Sequence, residues 1–330
     1  MYRNTDLVYD AVTKLDELIS VPIEFHSQRS NGDGIIEIGN KQFIVMQASE
    51  VRNSNKGFVI SKLGLKTGIS KRPVLLVAKY ISKDAALDMR GKGMNYIDAA
   101  GNAYISYETL YIYIEGQTPV QREKVNQSRA FQEAGVKILF AMLVNDNQKA
   151  MSYREIAEFA AVSVGSVSNV IGELEEMNFL LKTETKRKIK NKQELIERWV
   201  VAYNEVLRPR IVRKKMDFIN EQAAKKWEVE TNDDSGEMFQ WGGEPAAAIR
   251  QGKLRPEIFT IYSNAELREL ASSLKLVPKE NGKVEILDKF WNDGNTLGQT
   301  VPPLLIYADL MNSGYGRNIE VAESILENGV

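Results

Sequence analysis

The chain has 330 residues, more than one hydrophobic core usually supports, and this length predicts two or three domains. A composition of 43% hydrophobic and 26% charged residues with a net charge of −1 is that of an ordinary globular protein. The lack of cysteine and the single histidine, His26, exclude disulfides, zinc–thiolate sites, cysteine nucleophiles and metal sites built from several histidines. No apolar run approaches the roughly 18 residues that cross a bilayer, and the N-terminus lacks the apolar core of a signal peptide. We therefore expect a cytoplasmic protein without membrane contact.

The first segment, residues 1–126, has the pattern of a compact α/β domain. Apolar residues at helical spacing from Leu7 to Ile19, including Leu18, predict an opening helix. Two strand-like runs flank Gly39–Lys41 and predict a hairpin. The later elements are predicted as a buried strand at 74–78, a helix at 82–90 that stops at Gly91, and strands at 104–107 and 110–114. The polar stretch 116–128 predicts a linker.

The second segment, residues 127–193, has the element order of a winged helix-turn-helix. An apolar helix is predicted at 136–144, and Ser152 with Glu155 matches a capping box that opens a short second helix. Ala161–Val162 predicts a tight turn, after which Ser163 caps a third helix.

The third helix, about Val164 to Met177, has two different faces. Its apolar residues are spaced by three, four and seven, which predicts that Val164, Val167, Val170, Ile171, Leu174 and Met177 face the core. The opposite face carries small polar residues, which suit close approach to the major groove. We predict that the residues facing the groove, where they can hydrogen-bond base edges or phosphates, are Ser163, Ser166, Ser168 and Asn169.

A basic block follows this helix. Residues 182–190 predict a short β-hairpin at the position of a wing, whose cations suit phosphate contacts. The predicted phosphate contacts are Lys182, Lys186, Arg187, Lys188, Lys190 and Lys192. The basic residues continue at Arg198, Arg208, Arg210, Arg213, Lys214 and Lys215. A solvated surface and a helical bundle without DNA contact are open alternatives, but the order of the elements with their charge favours DNA binding.

Near the N-terminus, Asn31–Ile36 and the following strand Phe43–Ser49 resemble the restriction-endonuclease-like fold. That family places an aspartate before a hairpin and an acid-x-lysine motif on the next strand, where the carboxylates hold Mg²⁺. Asp33 matches the first position, whereas Gln47–Ser49 replaces both the acid and the lysine. The resemblance therefore implies an inactive domain with vestigial positions Asp33 and Gln47. Asp33 as a simple turn residue between glycines is the open alternative.

The third segment, residues 194–330, predicts a C-terminal α/β domain. Its predicted elements are helices at 195–208, 265–274 and 304–311 and strands at 259–262 and 284–287, with an acidic loop at 228–237. The strings Phe239–Ala248 and Val301–Asn318 resemble the AbiEi family of antitoxins and transcriptional regulators of type IV toxin–antitoxin systems. The motif residues are Gly242, Gly243, Asp309, Arg317 and Asn318. A helix-entry turn at the glycines and a buried polar network of the other three is the structural interpretation.

Together these patterns predict an α+β multidomain protein, a long form of the AbiEi family with a restriction-endonuclease-like domain at its N-terminus. The resemblance implies a DNA-binding regulator of its own promoter that opposes a nucleotidyltransferase-like toxin. We predict no catalytic residue, cofactor or metal. Two alternatives remain open: a metal-dependent nuclease with a degenerate site, and a protein-interaction module without DNA binding.

Overall fold

The computed structural model describes residues 4–27, 34–52, 55–118, 128–145, 151–182, 187–227, 238–252, 254–292, 298–313 and 316–329. The chain divides into two compact units, Met1–Val125 and Asn126–Val330. Both units combine helices with β-sheet, which confirms the mixed α+β class. The boundary predicted at residues 193–194 lies inside the second unit. None of the described helices is long and apolar enough to cross a membrane.

The first unit is built on one mixed sheet whose described strands lie in chain order. The strands are β1 (Ile23–Ser27), β2 (Gly34–Ile38), β3 (Lys41–Val51), β4 (Val74–Ile81), β5 (Asn95–Asp98), β6 (Ala103–Tyr107) and β7 (Leu110–Ile114). Pairs β3–β4 and β4–β5 are parallel and the others antiparallel. The predicted hairpin is confirmed, because Ile38 pairs with Lys41 across a turn at Gly39 and Asn40.

Three helices cover this sheet, α1 (Asn4–Asp16), α2 (Lys56–Ile69) and α3 (Lys83–Gly91). The last two connect parallel strands, which need a crossover. The helix α3 ends at Gly91 as predicted. Val8 and Leu15 of α1 are buried in one cluster with the β-strands. The prediction for Leu18 was wrong: its side chain is 42% exposed, because α1 ends two residues earlier.

The second unit opens with three helices and a two-stranded antiparallel sheet. These elements are α4 (Glu133–Val144), α5 (Tyr153–Phe159), α6 (Val164–Glu176), β8 (Leu180–Lys182) and β9 (Arg187–Ile189). A continuous helical stretch follows, consisting of α7 (Lys192–Ala202), a π-helical turn (Tyr203–Leu207) and α8 (Arg208–Ile211). The helix predicted at 195–208 is thus longer, and its second half is not regular α-helix.

The rest of the unit is a mixed sheet with helices. The strands are β10 (Val212–Phe218), β11 (Gln240–Gly242), β12 (Phe259–Tyr262), β13 (Leu276–Pro278) and β14 (Val284–Leu287), in the spatial order β11-β12-β14-β10-β13. The helices are α9 (Glu221–Lys225), α10 (Gly243–Gln251), α11 (Leu267–Ser273), α12 (Pro303–Asn312) and α13 (Gly316–Gly329). The strands predicted at 259–262 and 284–287 and the helix predicted at 304–311 are confirmed. The predicted acidic loop at 228–237 lies outside the described residues.

Helices α4 to α6 share one aromatic core with the C-terminal elements. The ring of Phe140 in α4 stacks on Trp199 of α7, with centroids 5.6 Å apart, and also contacts Phe290 and Trp291. The indole N–H of Trp199 donates to the carbonyl of Val136 at 2.8 Å. Because these rings are nearly fully buried, the opening helices and the sheet form one packed body.

The segment that carries Phe290 and Trp291 also reaches α5. The backbone N–H of Asn292 donates to the carbonyl of Phe159 at 2.8 Å. The side-chain amide of Asn292 donates to the carbonyl of Glu158 at 3.0 Å. These bonds add acceptor partners at the C-terminal end of α5, where a helix cannot pair all of its carbonyls internally.

Candidate nucleic-acid interface

The two short helices before the hairpin are fixed by their caps. Ser152 Oγ accepts from the N–H of Glu155 at 3.2 Å, and the Glu155 carboxylate accepts from the N–H of Ser152 at 2.6 Å, so the predicted capping box is confirmed. Ala161 has a φ of 52°, a left-handed conformation that turns the chain sharply between α5 and α6. Ser163 Oγ then accepts from the N–H of Ser166 at 3.1 Å and caps α6.

The inner face of α6 is formed by Val167, Val170, Ile171 and Leu174, each at most 3% exposed. The predicted burial of the two end residues was wrong. Val164 is 45% exposed, and Met177 is only half-buried. Val164 is the first helical residue and Met177 the C-cap residue, so both lie at the helix ends, where the core beneath the helix stops.

The outer face of α6 is uncharged in its first turns, and apart from Val164 it carries only small or polar residues. Ser163, Ser168 and Asn169 are exposed, while Ser166 is half-buried with its hydroxyl 2.9 Å from that of Ser163. The first turn of α6 carries no acidic residue. Farther along, Glu173 turns inward and accepts from the N–H of Ala130 at 2.9 Å. The exposed N-terminal half therefore combines hydrogen-bonding groups with the positive end of the helix dipole, which suits an anionic partner.

The hairpin beside α6 is the two-stranded sheet of β8 and β9, in which Lys182 pairs with Arg187 and Leu181 with Lys188. Lys188 and Lys190 are exposed, and Lys192 is half-buried at the start of α7. Lys186, in the hairpin tip, lies outside the described residues. The structure thus presents cations on the hairpin, and their predicted contact with phosphate stays a prediction.

Arg187 has contacts of its own within the protein. Its guanidinium lies over the ring of Tyr153, 4.5 Å from the centroid, and Nη2 donates to the carbonyl of Met151 at 3.0 Å. Both contacts join the hairpin to the beginning of α5. Arg187 consequently fixes the orientation of the hairpin relative to the helices.

The paired glycines of the C-terminal motif form the predicted helix-entry turn between β11 and α10. Gly243 has a φ of 47°, a left-handed conformation that favours glycine. Gly242 has an ordinary φ of −110°, but a Cβ there would lie 2.5 Å from the Tyr262 ring and 2.9 Å from Asp309 Oδ2. Gly242 is therefore required by the space that Tyr262 and Asp309 occupy.

Asp309 of α12 lies at the centre of a buried polar cluster. Tyr262 donates to its carboxylate at 2.9 Å, and the Tyr203 hydroxyl lies 2.5 Å from that of Tyr262. Arg208 Nε donates to Asp309 Oδ1 at 3.3 Å, while Nη2 of Arg208 pairs with Glu285 at 2.5 Å. Side chains from three other elements of the unit thus meet at the Asp309 carboxylate.

The electrostatics of this cluster follow from burial. Burial raises the pKa of Asp309, and the lowering effects of Arg208 and Tyr262 offset only part of it. Burial also raises the pKa of Tyr203 and of Tyr262 well above the usual range, with a further contribution from Asp309. Burial alone would lower the pKa of Arg208, but Asp309 and its neighbours raise it above the usual value. Arg208 therefore stays charged and compensates buried negative charge.

Arg317 and Asn318 belong to a second cluster, around Glu244 of α10. The Glu244 carboxylate accepts from the N–H of Glu257 at 2.6 Å and from the Asn318 amide at 2.9 Å. Arg317 approaches Glu244 at 3.4 Å and pairs with Glu257 at 2.5 Å. Asn318 is fully buried, whereas the side chain of Arg317 is 39% exposed. The motif residues are thus divided between two neighbouring clusters on either side of Gly243.

The sequence did not predict that Tyr203, Arg208 and Glu285 belong to the Asp309 cluster. Tyr203 and Arg208 are five residues apart, a separation that an α-helix would rotate by about 140°. The π-helical turn between them brings both side chains to Asp309. The motif string itself carries no signal for this turn.

The nuclease-like positions of the first unit have no described metal site around them. Asp33 lies outside the described residues. Gln47 is half-buried in β3, where its backbone is in register with Val77 of β4. No group of three or more acidic or histidine residues that could hold a metal is found in the described part of the chain.

Comparison with known proteins assigns a class to the C-terminal part of the chain. A family model described as transcriptional regulator, AbiEi antitoxin of a type IV toxin–antitoxin system matches residues 188–330, from β9 to the C-terminus. Residues 188–330 are therefore similar to the AbiEi antitoxin family, as the motifs predicted. Neither the curated proteins nor the solved structures include a match to the chain.

Proposed function

We propose that the chain is an autoregulating antitoxin that binds DNA of its own promoter through a winged helix-turn-helix formed by α4, α5, α6 and the β8–β9 hairpin. The proposal rests on one observation above all. The first turns of α6 expose an uncharged face of mostly small polar residues, beside a hairpin that exposes Lys188 and Lys190. In this arrangement α6 lies in the major groove, and the hairpin contacts the phosphates.

The exposed face of α6 and the β8–β9 hairpin have separate roles in the proposed DNA binding. Ser168 and Asn169 carry groups that hydrogen-bond base edges, and they are exposed near the helix N-terminus. Ser163 and Ser166 are held by the helix cap, which suits them to backbone contact at the groove edge. The hairpin lysines contribute affinity without sequence information.

The test is fluorescence anisotropy of a labelled duplex from upstream of the chain's own gene, compared with a scrambled duplex across a potassium chloride series. Lys188→Gln with Lys190→Gln weakens binding to both duplexes and flattens the log–log salt dependence by up to about 0.9 for each phosphate that is no longer neutralised. Asn169→Ala lowers the preference for the upstream duplex by about fivefold or more, because one base contact is removed.

The matched control is Lys214→Gln with Lys215→Gln. These two lysines are exposed on β10, so the variant makes the same change of charge away from the hairpin. It keeps the wild-type salt slope. An equal flattening in both variants refutes the assignment of the hairpin, and no DNA affinity at low salt favours the protein-interaction alternative.

The role of antitoxin is proposed from the family to which residues 188–330 are similar. Its partner is a nucleotidyltransferase-like toxin encoded beside it. Co-expression with the adjacent gene tests this role: the antitoxin restores growth that the neighbour alone arrests. Failure to restore growth, together with intact promoter binding, leaves a regulator without antitoxin function.

We further propose that the first unit is a restriction-endonuclease-like domain without nuclease activity. The glutamine at position 47 supports this proposal, because a neutral amide at the acidic position makes a weak Mg²⁺ ligand. Incubation with supercoiled plasmid and Mg²⁺ yields no cleavage. Cleavage that is abolished in Asp33→Ala would establish the nuclease alternative instead.

A further inference from the structure

Val164 of α6 is exposed, although its spacing along the helix predicts a buried side chain. Val164 is 45% exposed, whereas Val167, three residues later on the same stripe, is fully buried. Val164 directly follows the capping residue Ser163, so its methyl groups extend from the first turn of the helix. An exposed β-branched residue at a helix start contributes little to folding.

The residues beside Val164 at the start of α6 are small and uncharged. Apart from its chain neighbours and the backbone of α6, a Cβ on the adjacent Gly165 would have only the Ser163 hydroxyl within 4 Å among the described residues, at 3.8 Å. Ser163, Gly165 and Ser168 are all exposed. The two γ-methyl groups of Val164 thus lie among small hydroxyl and backbone groups at the N-terminal end of α6. This is the end that enters the major groove in the proposed function.

The chemistry of the major groove restricts what such methyl groups can recognise. Phosphates and most base edges present hydrogen-bonding groups, for which valine has no counterpart. The exception is the C5-methyl group of thymine, the apolar feature that distinguishes bases in this groove. Small neighbours at Gly165 and Ser168 allow the helix to come close enough for contact between methyl groups.

We propose that Val164 is a specificity-determining residue that contacts the 5-methyl group of one thymine in the bound DNA. This inference rests on the proposed function, because thymine methyl groups are accessible to Val164 only when α6 enters the major groove. Burial of one methyl group between two apolar surfaces corresponds to about a fourfold change in affinity.

The experiment uses the full chain and the upstream duplex, with the bound region first mapped by footprinting. Each thymine in the footprint is replaced singly by deoxyuridine, which removes the methyl group and keeps every hydrogen-bonding group. Wild-type protein binds about fourfold more weakly when one such position is replaced. Val164→Ala binds the thymine and deoxyuridine duplexes nearly equally at that position, because the two γ-methyl groups that reach the thymine methyl are removed.

Val277→Ala is the matched control. Val277 is another exposed valine, 38% exposed on β13 and outside the proposed interface, and its truncation preserves the fourfold preference for thymine. Alanine favours the helix at position 164, so the Val164 variant folds.

The outcomes separate the two levels of the proposal. Sequence-specific binding with no weakening at any deoxyuridine, or with the same weakening in Val164→Ala, overturns the role of Val164 and leaves the proposed function standing. Binding that ignores sequence altogether overturns both.

Discussion

Replacement of Gly242 by alanine tests the close packing at the centre of the C-terminal motif. A Cβ at this position would lie 2.5 Å from Tyr262 Cε2 and 2.9 Å from Asp309 Oδ2, well inside van der Waals contact. The backbone φ of −110° is open to alanine, so the penalty comes from space alone. The ring or the carboxylate must move, which weakens the hydrogen bond between them.

The expected decrease in the free energy of unfolding is about 1–3 kcal/mol, the usual cost of overpacking a buried site. With a urea m-value of about 2 kcal/mol/M, a decrease of ~2 kcal/mol lowers the unfolding midpoint by about 1 M. Tryptophan fluorescence is a selective probe, because Trp199, Trp227, Trp241 and Trp291 all lie in the second unit. Unfolding of the first unit therefore does not obscure the transition.

Gly172→Ala in α6 is the control in the same unit. Apart from its chain neighbours and the backbone of α6 itself, no atom of the described residues lies within 4 Å of a Cβ at this position. Alanine there raises the free energy of unfolding by about 0.4–1 kcal/mol, because it reduces the freedom of the unfolded chain. A Gly242→Ala protein as stable as the wild type would refute the close approach of Gly242, Tyr262 and Asp309.

Two further predictions concern buried or half-buried charges. Arg187→Lys keeps the charge but removes the stacking on Tyr153, so the free energy of unfolding falls by about 1 kcal/mol and the melting temperature falls with it. The salt slope of DNA binding is retained, because the charge is unchanged. An unchanged melting temperature would contradict the anchoring role. The pKa of Asp309 is raised in the folded state, so its carboxyl favours folding when protonated, and this contribution is lost as pH rises through the folded pKa. The wild type therefore gains stability relative to Asp309→Asn as pH is lowered from neutral towards the ordinary aspartate pKa of about 4 in urea titrations, and a constant difference would contradict the raised pKa.

Local signals made much of the fold predictable. The capping box at Ser152 and Glu155 needs only neighbours within one turn, and the buried run that begins at Val74 needs only its own composition. The predicted burial of Val164 was wrong because a periodic pattern gives only the direction in which a side chain points. It does not give the position at which the core beneath the helix ends. The exposure of a terminal residue depends on the elements packed nearby, which the sequence pattern does not contain.

The polar clusters of the C-terminal part were predictable only in outline. Gly242, Asp309 and Asn318 were identified by family resemblance, but Asp309 takes its partners from positions as far away as Tyr203. A π-helical turn with no evident sequence signature aligns those partners. The division into one cluster at Asp309 and another at Glu244 thus depends on tertiary packing.

The stacking of Phe140 on Trp199 has a consequence for how such genes can be rearranged. The family match begins at residue 188, but the ring beneath Trp199 and the carbonyl that its indole N–H requires belong to α4, more than forty residues earlier. A protein started at residue 188 would expose this tryptophan and leave its N–H without the Val136 carbonyl. Recombination that transfers the family-matched segment with its core intact therefore has its breakpoint before α4, and α4 to α6 are inherited with it.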